Sequence, residues 1–241
     1  MRVVILGTGT NVGKTYFTVR LAQALGAAEP ALAVAALKPI ESGFTRIGSD
    51  VEALEATARH TALPAEHPLI GLPDPVSPHL AARLAARPPI TLEEVQAWLN
   101  AWESSRDTLD VDDTSRSAVP RHVMSRHVTL IETAGGCFSP LASGIVNLDL
   151  AEALKPAIQI LVAHDGLGVL HDVTACLTAM KSRGFSCDYL VLTAARPPDA
   201  STGTNADELA HLGIAHPAAV LGRDRSDLEA FARRLLADHV V

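Results

Sequence analysis

Cysteine is scarce in this sequence: Cys137, Cys176 and Cys187 are the three in 241 residues, odd in number and scattered. They form no disulfide framework and no zinc-ligand spacing, which points to a reducing, cytoplasmic setting. Long hydrophobic runs are missing as well. The first apolar run, Val3-Val4-Ile5-Leu6, stops at Gly7 and is too short for a signal peptide or a membrane helix. No later stretch reaches the roughly 18 charge-free residues of a membrane span. No block of Lys and Arg offsets the formal net charge of −7, so neither nucleic acid nor a membrane is expected as a partner. The ten histidines supply no helical pair at the i, i+4 spacing of a zinc motif; His211 and His216 straddle a turn. There is no internal repeat.

What is present is apolar and regularly spaced. Hydrophobic residues make up 48% of the chain, enough for a sizeable core in one α/β domain spanning 1–241. Runs rich in Val, Ile and Leu recur at 3–6, 32–37, 128–131, 158–163, 189–193 and, more weakly, 218–221. Their hydrophobicity is continuous rather than alternating, as for strands buried on both faces. Segments of helical period separate most of them, at 15–27, 50–57, 78–86, 92–102, 148–154, 171–183, 205–211 and 227–236. Strand–helix alternation of this kind predicts a mostly parallel central β-sheet flanked by helices on both faces, which together with the Gly-rich, Gly-Lys-Thr-ending loop at 7–15 is a P-loop NTPase-like fold. Residues 103–127 break the pattern with Ser, Asp and Arg in quick succession and predict an exposed polar insertion after which the sheet resumes. Trp98 and Trp102, at i, i+4, read as helix packing.

The chemistry begins right behind the first strand. Gly7-Thr8-Gly9-Thr10-Asn11-Val12-Gly13-Lys14-Thr15 is a loop of small residues that opens a helix. In such loops main-chain N–H groups point at phosphate, a Lys adds charge and the next hydroxyl ligates Mg²⁺. Glycine lets the main chain come close to the phosphate oxygens. The usual pattern has four residues between its glycines; here five separate Gly7 from Gly13.

Ligands of a parallel sheet gather at the carboxyl ends of its strands. Two further strand ends carry charge, Lys38-Pro39-Ile40-Glu41-Ser42-Gly43 and Glu132-Thr133-Ala134-Gly135-Gly136. A Lys beside a phosphate loop can neutralise a transferring phosphoryl group or hold an anionic substrate, or simply be solvated at an edge. Glu132 stands where such folds carry a metal-binding carboxylate. Asp50 admits two accounts, a helix start within the capping box Ser49-Asp50-Val51-Glu52 or a second metal carboxylate. Ser77-Pro78-His79 reads as a cap with Pro in the first turn, or as a helix start lining a substrate pocket.

Together these segments resemble the dethiobiotin synthetase family. The resemblance lies in the phosphate loop with its extra residue, Lys-Pro-x-x-Ser-Gly at 38–43, Ser49-Asp50, Ser77-Pro78-His79, Glu-x-Ala-Gly-Gly at 132–136 with Pro140-Leu141, and Leu167-Gly168. It implies a ligase that uses ATP and Mg²⁺ to close a ureido ring on 7,8-diaminopelargonic acid. CO₂ adds to one amine as a carbamate, ATP phosphorylates it, and the second amine closes the ring. By the same resemblance, Lys14, Lys38 and Thr10 are catalytic. Asn11, Val12, Gly13, Lys14, Thr15, Tyr16 and Thr193 bind the nucleotide, and Thr15, Asp50 and Glu132 hold the metal. Ser42 and Gly135 hold the substrate, with Gly168, Val169 and His171 receiving its carboxylate tail across the interface of a homodimer.

The chain departs from the family at several points. Asn11 stands where an acidic residue is common, Thr193 where an Asn reads adenine, and His171 where the tail loop has Asn. Gly222-Arg223-Asp224-Arg225 replaces a Gly-x-x-Pro near the base. A relative acting on another substrate is therefore an alternative. A dimeric ATPase switch of the partitioning or positioning type is another, though such proteins carry a second Lys early in the loop, where this chain has Gly7-Thr8-Gly9-Thr10. An amidase of the cobyrinic acid type needs a glutaminase domain for which the chain is too short, and the Arg-rich lid of a small-molecule kinase is missing.

Overall fold

The computed structural model describes residues 1–112, 126–194, 197–222 and 228–239. The elements alternate along the chain. β1 (Arg2–Gly7) leads through the phosphate loop into α1 (Lys14–Ala28) and β2 (Ala33–Leu37). A short β3 (Ile40–Ser42), α2 (Asp50–Glu55), β4 (Ile70–Leu72), α3 (Pro78–Leu84) and α4 (Leu92–Asp112) come next. β5 (His127–Glu132) returns to the sheet, followed by a hairpin of β6 (Pro140–Ala142) and β7 (Ile145–Val146), then α5 (Asn147–Ala153). β8 (Ile158–His164), α6 (Val169–Ser182), β9 (Tyr189–Thr193), α7 (Asn205–His211), β10 (Ala219–Leu221) and α8 (Glu229–His239) complete the order.

The six apolar runs pair as one parallel sheet, β10-β9-β8-β1-β5-β2. Side chains alternate across it with the period of two that a strand imposes. Val3 and Ile5 of β1 face one apolar layer, where Phe17, Leu21 and Leu25 of α1 meet Phe231 and Leu235 of α8. Val4 and Leu6 face the other, where Leu99 and Trp102 of α4, Leu148 and Leu150 of α5 and Val173 of α6 pack. Each fully buried Leu, Ile or Phe contributes about 1.5–3 kcal/mol, so both strand faces are committed to the core. The continuous hydrophobicity of the runs has its cause here.

From β1 the chain departs to β2 and β5 on one side and to β8 on the other, so β1 borders the point where the strand order reverses. Loops leaving the strands there diverge and open a crevice at their carboxyl ends. The phosphate loop, Lys38 after β2 and the turn after β5 all lie at that end.

Two expectations change. The polar stretch from residue 103 does not begin as a loop, because α4 runs on to Asp112. Tertiary contacts override weak propensity. Val95, Leu99 and Trp102 are buried, Glu103 pairs with Arg2 at 2.6 Å, and the Arg106 guanidinium lies 5.0 Å from the Trp102 ring centre. The rest of that stretch, 113–125, lies outside the described residues, as does the start of the helix expected at 227. Second, β3 with β4 forms a small parallel sheet and β6 with β7 an antiparallel one, both too short for periodicity to reveal.

Candidate active site

The phosphate loop owes its shape to two left-handed residues. Gly13 has φ 92°, and Asn11 has φ 58°, a conformation Asn tolerates better than most side chains. A Cβ on Gly7 would lie 3.0 Å from both the Gly9 carbonyl oxygen and Lys14 Nζ, so a side chain there would press on the loop where it folds back over its strand. Lys14 curls across the loop, donating to the Gly9 carbonyl at 3.2 Å. Burial lowers its pKa, and the like charge of Lys38 acts the same way against the pull of Glu132 and Asp50.

Beside this loop stands a cluster of opposite charges. Lys38 Nζ donates to Glu132 Oε1 at 3.0 Å and to Asp50 Oδ2, bridging the two carboxylates. Burial opposes its charge, but Glu132 and Asp50 outweigh burial and hold its pKa well above the ordinary 10.5. The Asp50 carboxyl is pushed up by burial; Lys38 and the Thr15 hydroxyl overcome this and bring it below the ordinary 3.8. Thr15 Oγ1 also donates to Glu132 Oε1, at 2.8 Å, while Glu132 Oε2 is buried with no partner among the described residues. An orphaned carboxylate oxygen beside a hydroxyl and a second carboxylate is an all-oxygen donor set that suits a hard divalent cation such as Mg²⁺.

Asp50 is held in place by two caps. Ser49 is the N-cap of α2 and its hydroxyl accepts from the Glu52 N–H at 3.0 Å; Glu52 in turn accepts from Gly48 rather than from Ser49. Glu41 of β3 is buried and accepts from the N–H groups of Asp50 and Val51 at 3.0 and 3.1 Å, placing a carboxylate on the helix N-terminus. Burial raises its pKa against the opposing pull of Lys38 and those N–H groups. The turn after β5 is fixed by buried Asn147, which donates to the Ala134 and Gly136 carbonyls.

Thr10, Asn11, Gly13, Lys14, Thr15 and Tyr16 line one cavity of about 490 Å³. Lys38, Asp50, Glu132 and Gly135 close its other side, joined by Pro197, which sequence patterns do not single out. Other expected residues stand elsewhere. The Val12 side chain is buried in the core, so only its main chain faces the loop. Thr193 is wholly buried, and its hydroxyl donates to the Val12 carbonyl at 2.5 Å; it braces the phosphate loop and does not line the cavity. Ser42 lies on β3 outside the lining, with its hydroxyl buried and unpartnered among the described residues. Gly168, Val169 and His171 start α6 away from the cavity, on a loop that Asp199 pins by accepting from the Leu167 N–H at 2.8 Å. Ser77 caps α3 through its main chain while its hydroxyl pairs with His79. Tyr16 reaches the Gly222 carbonyl at 3.1 Å; residues 223–225 lie outside the described ones. Cys137 and Cys176, distant in sequence, meet with sulfurs 3.6 Å apart as free thiols.

A family model described as an AAA domain matches residues 1–224. The ATP-dependent dethiobiotin synthetase of Mycolicibacterium gilvum is 35% identical over 213 residues, covering 88% of this chain and 83% of that one. The chain belongs to the dethiobiotin synthetase family. Another synthetase, from an Anaeromyxobacter strain, is 30% identical over 244 residues and covers 98% of this chain and 97% of its own length. Among solved structures, a ParA family ATPase from Chlorobium tepidum superposes with a TM-score of 0.50 at 15% identity, covering 99% of this chain and 89% of that one. That likeness bears on the fold alone, and it agrees with the P-loop architecture expected for a dethiobiotin synthetase. Among the described residues no helix is long and apolar enough to cross a membrane.

Proposed function

We propose that this chain closes the ureido ring of dethiobiotin, joining CO₂ to 7,8-diaminopelargonic acid at the expense of ATP. The observation that carries the proposal is Lys38, whose buried ammonium bridges Asp50 and Glu132 in the same cavity as Lys14 and Thr15. Family membership supports the choice of substrate, and the cluster of charge around Lys38 supports phosphoryl transfer to an anionic carbamate.

The roles follow from charge. The loop N–H groups and Lys14 hold the β- and γ-phosphates, and Thr10 faces the transferred group. Thr15, Asp50 and Glu132 hold Mg²⁺, which when bound offsets the charge of the phosphate oxygens. Lys38 stabilises the carbamate and then the charge that develops as the phosphoryl group moves to it. The Gly135 main chain, which lines the cavity, helps hold the diamine. By the family resemblance, Gly168, Val169 and His171 receive the carboxylate tail from the other subunit of a homodimer. Free buried thiols accord with a cytoplasmic enzyme.

Purified protein should release phosphate from ATP only when Mg²⁺, bicarbonate and the diamine are all supplied. ATP turnover independent of the diamine would refute the proposal in favour of an ATPase switch.

A further inference from the structure

β2 is an outer strand of the sheet, so every second main-chain N–H along it points away from β5 and needs a partner elsewhere. Val34 finds one in the Arg59 carbonyl at 2.9 Å. Two alternations later Lys38 finds one in a side chain: its N–H donates to His67 Nε2 at 2.9 Å. His67 is 4% exposed and stacks on Trp98 of α4, with ring centres 6.3 Å apart. Its Nδ1 lies 3.2 Å from Glu55 Oε1 of α2. A main-chain N–H can only donate, so Nε2 must accept, and the proton sits on Nδ1 facing Glu55. Three residues on, the Ile70 N–H donates to the Pro39 carbonyl at 3.0 Å. One segment thus pins both sides of the Lys38–Pro39 turn, and Pro39 itself narrows the conformations open to Lys38.

We infer that His67, neutral and oriented by Glu55, is a positioning residue that aims Lys38 at the reacting carbamate. The inference rests on the ring-closing activity proposed above. Protonating Nε2 would set a donor against the Lys38 N–H and release the turn. Among the described residues, the charged groups facing the ring are Glu55 from α2 and Arg46 from the segment before it; Trp98 of α4 and the β2 main chain bring none. Burial lowers the His67 pKa, with Arg46 adding to it and Glu55 opposing. The bond to Lys38 therefore holds at neutral pH.

The test compares full-length wild type, His67→Leu and His67→Gln by phosphate release and ureido product from pH 5.5 to 9. A misplacement of about 1 Å costs up to about 100-fold, so His67→Leu should lose roughly 10- to 100-fold in kcat with the KM for ATP within about twofold. His67→Gln, which restores an uncharged acceptor, should recover most of kcat and shift the acid limb expected of the wild type. Unchanged kcat in His67→Leu, or an unmoved acid limb in His67→Gln, overturns the inference while leaving the ligase intact. A wild type that makes no ureido product overturns the functional proposal and this inference with it. Should His67→Leu fail to fold, the tautomer of wild-type His67 read by ¹⁵N NMR decides: Nδ1–H supports the inference and Nε2–H overturns it.

Discussion

Replacing Lys38 with Met strands two carboxylates, and the cost can be sized. Removing one partner of a fully buried ion pair costs about 3–5 kcal/mol, because the remaining charge has lost both water and its counter-ion. Glu132 meets that condition at 1% side-chain exposure, but Asp50 is 44% exposed and stays partly solvated. The lower end, about 3 kcal/mol, is therefore expected. In a chain of this size 1 kcal/mol shifts Tm by roughly 2–4 °C, so Lys38→Met should melt about 6–12 °C below wild type in the absence of divalent cations. Mg²⁺ at about 100 times its Kd restores about 2.7 kcal/mol, nearly the whole deficit. Wild type should gain less, since Lys38 already balances the carboxylates. Ring closure should fall by about 10²–10³, the usual cost of losing one group that stabilises developing charge. Nucleotide binding should survive, because the loop and Lys14 are untouched. Thermal melts with and without Mg²⁺, beside titrations with a fluorescent nucleotide, separate these effects. Equal Mg²⁺ shifts in both proteins, or loss of nucleotide binding in the variant, would refute the reasoning.

Other perturbations probe the scaffold around that cluster. Thr193→Val leaves the Val12 carbonyl without its partner, a loss of about 1–3 kcal/mol, and should raise the KM for ATP, CTP and GTP together; an altered ranking in a nucleotide panel would show that Thr193 reads the base. Gly136→Ala puts a Cβ 3.2 Å from Gly9 Cα and 3.3 Å from the Thr8 carbonyl oxygen, so calorimetry should find weakened nucleotide binding in a protein that is still folded. Asn11→Ala forces a less tolerant residue into the left-handed region at about 1 kcal/mol, roughly a fivefold loss of nucleotide affinity, which Asn11→Gly should escape. The His67 pKa is lower folded than its ordinary 6.5, so the unfolded chain takes up the proton first. Stability should fall as pH drops below 6.5 and level off at the folded value, and denaturant midpoints of His67→Gln should lack that step.

Much of the fold was legible because its cause is local. Each core strand is a run made mostly of Val, Ile, Leu or Ala, and burial on both faces produces that pattern wherever it occurs. β3, β4, β6 and β7 escaped because two or three residues carry no period. The helical start of the polar stretch escaped for another reason: Glu103 is held by Arg2, 101 residues away, and no local propensity records such a pairing.

The site divides along the same line. Lys14, Thr15, Lys38, Asp50 and Glu132 were visible because a strand end, a glycine turn or a cap marks each one, and the fold brings all of them to one cavity. What orients them was hidden. Glu41 caps Asp50 from a neighbouring strand, and His67 holds Lys38 from 29 residues away. Thr193 shows the converse, a position whose importance was legible and whose role was not. It stands at the end of β9, where the family has an Asn for the base, but a hydroxyl on Cβ reaches only as far as the adjacent main chain and is spent on the Val12 carbonyl. The residue that departs from the pattern thus couples β9 to the phosphate loop. Without a side-chain amide at that strand end, discrimination between bases should remain below the 10⁴ or more that a buried hydrogen-bonding site achieves.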